Sequence, residues 1–161
     1  LYEALHEAGL ETVEEDECDY VVIGLDRQIT YDKFARACLA IRNGAQFIST
    51  NSDVAIPTEQ GFLPGNGSLT SVITVSTGKE PIFIGKPEPI IMEEALAVLG
   101  TDKAETLMVG DNYDTDIKAG INAGMDTLLV YTGITSQDHY PSLKIKPTYT
   151  VQQLLEWVPR I

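Results

Sequence analysis

The sequence is poor in positive charge. Its 161 residues hold 11 lysines and arginines against 24 aspartates and glutamates, a formal net charge of −13. Neutralising a nucleic-acid backbone needs clustered Lys and Arg, so no nucleic-acid partner is expected. Cysteine is scarce. Cys18 and Cys38 form no C-x-x-C pair, and no histidine sits at ligand spacing from either. Cys38 falls in a helical pattern as a small buried apolar group. This usage points to a reducing, cytoplasmic compartment. The two histidines, His6 and His139, both lie in polar surroundings, and neither has a companion that suggests a triad. No apolar run is long enough for a membrane span, and no basic-then-apolar opening segment marks a secretory signal, so neither is expected in this stretch. What is present is globular: 43% hydrophobic and 22% charged, in a length that suits one ordinary domain or two small ones.

The charge is unevenly placed. Nine acids fall before Arg27 with no Lys or Arg among them, and Glu14-Glu15-Asp16-Glu17 reads as a solvated loop. Leu1 to Ala8 is a short helix stopped by Gly9. Tyr20 to Gly24 is a buried strand. Thr30 caps a helix through Asn43, with Phe34, Ala37, Cys38 and Ile41 on one face and Gly44 at its end. Phe47 to Ser49 is a strand, and residues 51–67 read as loop, punctuated by Pro57, Gly61, Pro64, Gly65 and Gly67. Ser68 to Thr77 has β-branched residues that favour a strand and a length that favours a helix; helix is the assignment. Then follow strand Ile82 to Ile84, helix Pro89 to Leu99, strand Thr106 to Val109, helix Thr115 to Ala123, strand Thr127 to Tyr131 and a last helix Thr150 to Val158. Strands alternating with helices predict an α/β fold with parallel sheets. A change of texture near Gly78 divides residues 1–78 from 79–161.

The chemistry concentrates in Leu107 to Asp116. An apolar strand runs into an acidic loop that opens a helix, and ligands in α/β sheets bind beyond the carboxyl ends of strands. Gly110 allows the turn, and the helix start beyond it offers free N–H groups. Asp111, Asp114 and Asp116 would repel one another unless some bind a cation, and hard oxygen ligands suit Mg²⁺. Helix capping is the competing reading, and for Asp114 the better one. Upstream, Gly85-Lys86-Pro87 fixes a lysine at a strand end, able to neutralise a phosphate or a crowded carboxylate. Pro87 is expected in the first turn of the next helix. Gly65-Asn66-Gly67-Ser68 lacks the rest of a phosphate-cradling motif and reads as a structural turn. Trp157 reads as terminal packing.

Gly85-Lys86-Pro87, with Gly110-Asp111-Asn112, Thr115-Asp116-Ile117 and Ala119-Gly120 downstream, resembles motifs III and IV of the haloacid dehalogenase (HAD) superfamily. Thr50-Asn51-Ser52-Asp53, Pro57-Thr58-Glu59-Gln60-Gly61, Pro64-Gly65-Asn66-Gly67-Ser68 and Thr77-Gly78 are similar to its NagD-like, p-nitrophenyl phosphatase-like branch. The resemblance implies part of a Rossmann-like core, residues 79–161, with a C2-type α/β cap, residues 1–78. It implies a Mg²⁺-dependent phosphatase of small phosphorylated metabolites. Lys86 would hold the phosphoryl group and offset the charge of the nucleophile. Asp111 would be a direct Mg²⁺ ligand. Asp116 would be a second carboxylate of the metal site, bound through water or orienting the loop. Asn112 would touch substrate, and Asn51 and Asp53 would face the active-site mouth from the cap.

The sequence departs from that family in one respect. The family's nucleophile is the first Asp of an Asp-x-Asp on an apolar strand ahead of the cap, and the only D-x-D here is Asp114-x-Asp116. Ile48-Ser49-Thr50-Asn51 mimics motif II, but the cap motifs follow it in order. The chain therefore reads as the C-terminal portion of such a protein, partnered by its own N-terminal segment and inactive alone. The alternatives are a non-catalytic Mg²⁺ or phosphate-binding module and a cap-mediated dimerisation module, with a homodimer as the partner state.

Overall fold

A computed structural model describes residues 1–15 and 17–157. Asp16 of the acidic run and Val158, the expected end of the last helix, lie outside the described residues. The chain forms two compact units, Leu1–Ile84 and Gly85–Ile161.

The first unit opens with the short helix α1 (Tyr2–Glu7) and carries a parallel sheet in the order β1 (Tyr20–Ile23), β2 (Gln46–Ser49), β5 (Ile82–Phe83). Helix α2 (Tyr31–Asn43) begins where Thr30 Oγ1 accepts the Lys33 N–H at 3.3 Å, and it ends at Gly44 in the left-handed region. Its apolar face, Phe34, Ala37, Cys38 and Ile41, packs with Ile23, Phe47 and Ile73 into one core. Helix α3 (Asn66–Thr77) completes that core through Ile73, so burial overrides the strand propensity of its β-branched residues. Thr70 and Thr77 hydroxyls donate to the carbonyls four residues back.

Residues 51–67 are not all loop, as the prolines and glycines had suggested. A hairpin pairs β3 (Ala55–Thr58) with β4 (Gly61–Pro64), antiparallel. Both prolines sit in a two-stranded ribbon whose outer edges need no ladder donor. Thr58 Oγ1 closes the turn by accepting from Gln60 N and donating to the Gly61 carbonyl. Strand β5 pairs with β2, so it lies in the first unit and does not open the second.

The second unit has helix α4 (Ile90–Leu99) and a parallel sheet in the order β6 (Leu107–Gly110), β7 (Asp126–Val130), β8 (Tyr149–Val151). Pro87 does not enter the first turn of α4; Pro89 is the N-cap residue, and Pro87 follows a cis peptide bond from Lys86. The expected helix from Thr115 begins instead as a widened π-type turn, Tyr113–Ile117, and becomes α5 only at Lys118–Ala123. The expected final helix is broken: its first two residues, Thr150 and Val151, are strand. Tyr149 to Val151 pair with β7, and only Leu154–Glu156 form a helical turn. The β-branched Thr150 and Val151 complete an extended ladder there, which a helix could not. Leu128, Val130 and Val151 form a core on which Trp157 packs, its ring centroid 4.9 Å from that of Tyr149. No helix of the described residues is long and apolar enough to cross a membrane.

Candidate active site

The carboxyl end of β6 carries the acidic loop. Gly110 is buried, and a Cβ placed on it would stand 2.2 Å from the Asp116 Cβ. Only glycine admits that approach, which lets the π-type turn fold back over the strand end. The extra residue in this turn is seen in the Ile117 N–H reaching the Asn112 carbonyl five residues back, at 3.3 Å. The turn brings Asp116 inward, 8% exposed, and leaves Asp114 outside.

Asp116 is the hub. Its Oδ1 accepts Lys86 Nζ at 2.6 Å, and its Oδ2 accepts the Asn112 N–H at 3.2 Å. The two lysine and aspartate motifs, thirty positions apart in sequence, thus meet in one ion pair. The Lys86 side chain remains 42% exposed against 11% for Asp116, so its ammonium faces outward from a buried anchor. Both Asp116 oxygens being engaged, the loop-orienting role fits it better than direct ligation of a metal.

Asp111 lies one residue past β6 and is half-buried. Its Oδ2 accepts the Ile134 N–H at 2.9 Å, while no described residue hydrogen-bonds its Oδ1. Asn112 spends its side chain on the turn, Oδ1 accepting the Asp114 N–H at 3.0 Å. Asp114 pairs with Lys118 at 2.7 Å, one helical turn on, in solvent. That hydrogen bond is the main reason the Lys118 ammonium is held above its ordinary range. Asp114 is therefore an exposed ion-pair partner in the first turn, and the cap that the sequence assigned to it is made by Asn112 instead. Among the described residues no group of three His, Cys, Asp or Glu side chains converges on one point. The donor set still suits Mg²⁺, which is commonly held by one or two carboxylates plus substrate phosphate and water. Beside the loop lies a cleft of about 390 Å³, lined by Asn112, Tyr113, Lys118, Thr135, His139 and Lys144. Of these, Thr135 and Lys144 were missed in the sequence, where no motif singles them out, and His139 was read only as lacking a triad companion.

In the first unit Asn51 and Asp53 share one loop. Asn51 Oδ1 accepts the Asp53 N–H at 3.1 Å, and Asp53 is exposed. Asn66, read as part of a plain turn, is 1% exposed and lashes this loop down. Its Nδ2 faces Ser49 Oγ at 2.9 Å, Thr50 Oγ1 at 3.3 Å and the Asn51 carbonyl at 2.9 Å. Ser49 is fully buried and also bonds Thr70 Oγ1 at 2.9 Å. A hydroxyl so enclosed, at the end of β2, is spent on holding the strand end, α3 and the following loop together.

Comparison with known proteins follows the same lines. The HAD-hydrolase-like family profile matches residues 83–157. The 5'-nucleotidase YutF of Bacillus subtilis (strain 168) is 66% identical over 159 residues, 99% of this chain and 62% of that protein. An acid sugar phosphatase of Staphylococcus aureus (strain MRSA252) is 58% identical over 158 residues, 98% of this chain and 61% of that one. The solved p-nitrophenyl phosphatase from Archaeoglobus fulgidus has a TM-score of 0.92 at 37% identity, covering 99% of this chain and 63% of its own. This chain thus spans about three-fifths of the length of the relatives it matches.

Proposed function

We propose that the chain, as a member of the HAD superfamily of hydrolases in its NagD-like branch, is part of a Mg²⁺-dependent phosphomonoesterase acting on small phosphorylated metabolites. The observation that carries this reading is the Lys86–Asp116 pair at 2.6 Å in the loop that presents Asp111 beyond β6. In this reading the cap is the first unit, Leu1–Ile84, since β5 pairs with β2, and the core begins at Gly85, a few residues past the boundary that the change of texture near Gly78 suggests.

Bound Mg²⁺ would neutralise charge on the transferring phosphoryl group, with Asp111 Oδ1 as its ligand from this chain. Lys86 gives one of its three N–H donors to Asp116, and the other two are available to phosphoryl oxygens. Charge grows on those oxygens as the phosphoryl group transfers, so a fixed ammonium stabilises the transition state more than the ground state. Asp116 keeps that ammonium aimed. Its second oxygen, on the Asn112 N–H, ties the aim to the loop that holds Asp111. Attack on phosphorus falls to a carboxylate of an Asp-x-Asp strand that these 161 residues do not contain. That carboxylate forms the new P–O bond while the alcohol P–O bond breaks, and water then hydrolyses the aspartyl-phosphate. The buried Ser49 supports the cap assignment of the first unit, since its hydroxyl is spent on Asn66 and Thr70.

The homogeneous 161-residue chain should not hydrolyse p-nitrophenyl phosphate with Mg²⁺. In a protein extended with the nucleophile strand, Lys86→Ala should lower kcat by about 10²-fold, comparable to removing an oxyanion donor. Asp111→Asn should weaken Mg²⁺ binding, and Asp53→Ala should change substrate preference alone. Turnover by the 161-residue chain, abolished by Asp111→Asn, would overturn the placing of the nucleophile outside it. Mg²⁺ binding without turnover in the extended protein would favour the non-catalytic module.

A further inference from the structure

The loop that carries Asp111 is tied along its length to one neighbouring segment. Asp111 Oδ2 accepts the Ile134 N–H at 2.9 Å. The Asp111 carbonyl accepts the Thr135 N–H at 3.0 Å. Thr135 Oγ1 in turn accepts the Tyr113 N–H at 2.8 Å. Thr135 is 7% exposed, a buried hydroxyl whose acceptor is consumed by the loop. Gly133 completes the arrangement by close approach. A Cβ on it would stand 1.8 Å from Asp111 Oδ2. The carboxylate therefore rests against the bare backbone of Gly133, and any side chain there would push it out of place.

We propose that Gly133-Ile134-Thr135 is a positioning strap that clamps the Asp111–Tyr113 loop by these three hydrogen bonds, two of them to Asp111 itself, and commits Oδ2, so that Oδ1 alone is presented to a divalent cation. The clamp acts on geometry and on charge. A carboxylate has free rotation about its Cβ–Cγ bond, and a hydrogen bond from a fixed N–H removes it. Outer partners of this kind orient metal ligands, and their loss commonly weakens metal affinity about 10- to 100-fold. Ile134 contributes through its backbone: its side chain is 71% exposed. Thr135 holds the strap and the loop together from the buried side. The cation in this inference rests on the function proposed above, while the clamp itself is a property of the fold.

Two measurements on this chain separate the two. The first is amide hydrogen exchange at Tyr113, Ile134 and Thr135. The strap predicts that all three are protected and that Thr135→Val raises exchange at all three together, about tenfold or more. Thr135→Ser, which keeps the hydroxyl, should restore protection. Should Thr135→Val not fold, Asp111→Ala serves, since removing the side-chain acceptor must raise exchange at Ile134. The second is calorimetric titration with Mg²⁺ alone. Thr135→Val should weaken binding about tenfold or more and Thr135→Ser should recover it. An unprotected Ile134 amide, or a response of Tyr113 alone, would overturn the strap. Coupled exchange with no Mg²⁺ binding by the wild type would sink the metal reading and leave the clamp standing.

Discussion

At the scale of single residues, the candidate site depends on what is absent from two glycines as much as on its charged groups. A methyl group on Gly110 would overlap Asp116, whose Cβ and Cγ stand 2.2 and 2.6 Å from the built position. Gly110→Ala should therefore swing Asp116 away and break its bond to Lys86. The expected result is a loss of phosphatase activity in the extended protein similar to that of Lys86→Ala, with the fold retained by circular dichroism. Activity within twofold of wild type would show that the pair is not needed. Tyr131 makes a second case. It packs on the core of Tyr113, Ile117 and Leu129, and burial raises its phenol above the ordinary range, against a smaller opposing effect of a Thr150 hydrogen bond. The folded pKa lies above the unfolded one, so the neutral phenol's contribution is fully present below about pH 10. It is lost as pH rises through the folded value. Denaturant midpoints measured from pH 8 to 12 should fall less steeply in Tyr131→Phe; parallel curves would remove Tyr131 from the alkaline transition. These residue-scale features were only partly legible. Lys86 and Asp111 stand out by motif, whereas the closeness of Gly133 to Asp111 joins positions that no local pattern connects.

At the scale of elements, one side chain organises the first unit's loop. Asn66 opens α3 and supplies donors to Ser49, Thr50 and Asn51 from a fully buried position, while its Oδ1 accepts no hydrogen bond from the described residues. Its value is thus as a donor. Asn66→Ala should destabilise the chain by about 1–3 kcal/mol, the cost of leaving buried acceptors unmet. Asn66→Asp should cost more, because it sets a carboxylate against three oxygens. Urea midpoints compare the two, and an Asp variant at least as stable as the Ala variant would refute this account. The sequence offered helices and strands of the right kind at most positions, with Thr30 and Gly44 marking the ends of α2 as capping rules require. It misled at β3 and β4, where proline and glycine were read as loop, and at β8, where a terminal stretch was read as helix. In both places pairing with another strand supplied what local propensity did not.

At the scale of the whole molecule, a −13 net charge resists association, and one sheet edge invites it. In the second unit β6 pairs with β7 and, among the described residues, with no strand on its other side. Val109 in β6 is 40% exposed. Sedimentation velocity should show concentration-dependent self-association of this chain, increased by salt that screens the acidic surface. Val109→Lys should reduce it, as edge charges do in natural sheets. A monomer at all concentrations, with unchanged behaviour in Val109→Lys, would mean that this edge is closed.

The sequence by itself determined the parallel α/β class, the order of its main strands and helices, and the residue types that the chemistry needs. Hydrophobic run length, caps and stop glycines are local properties, and they survive folding unchanged. The tertiary structure alone decided that Lys86 meets Asp116, that Asp114 turns to solvent, and that Asn66 is a buried donor. It also decided that Ile134 and Thr135 hold Asp111. Each of these is a contact between residues far apart along the chain or across a turn whose pitch no propensity sets. Their partners are chosen by which backbone segments the packed sheet brings within hydrogen-bond reach.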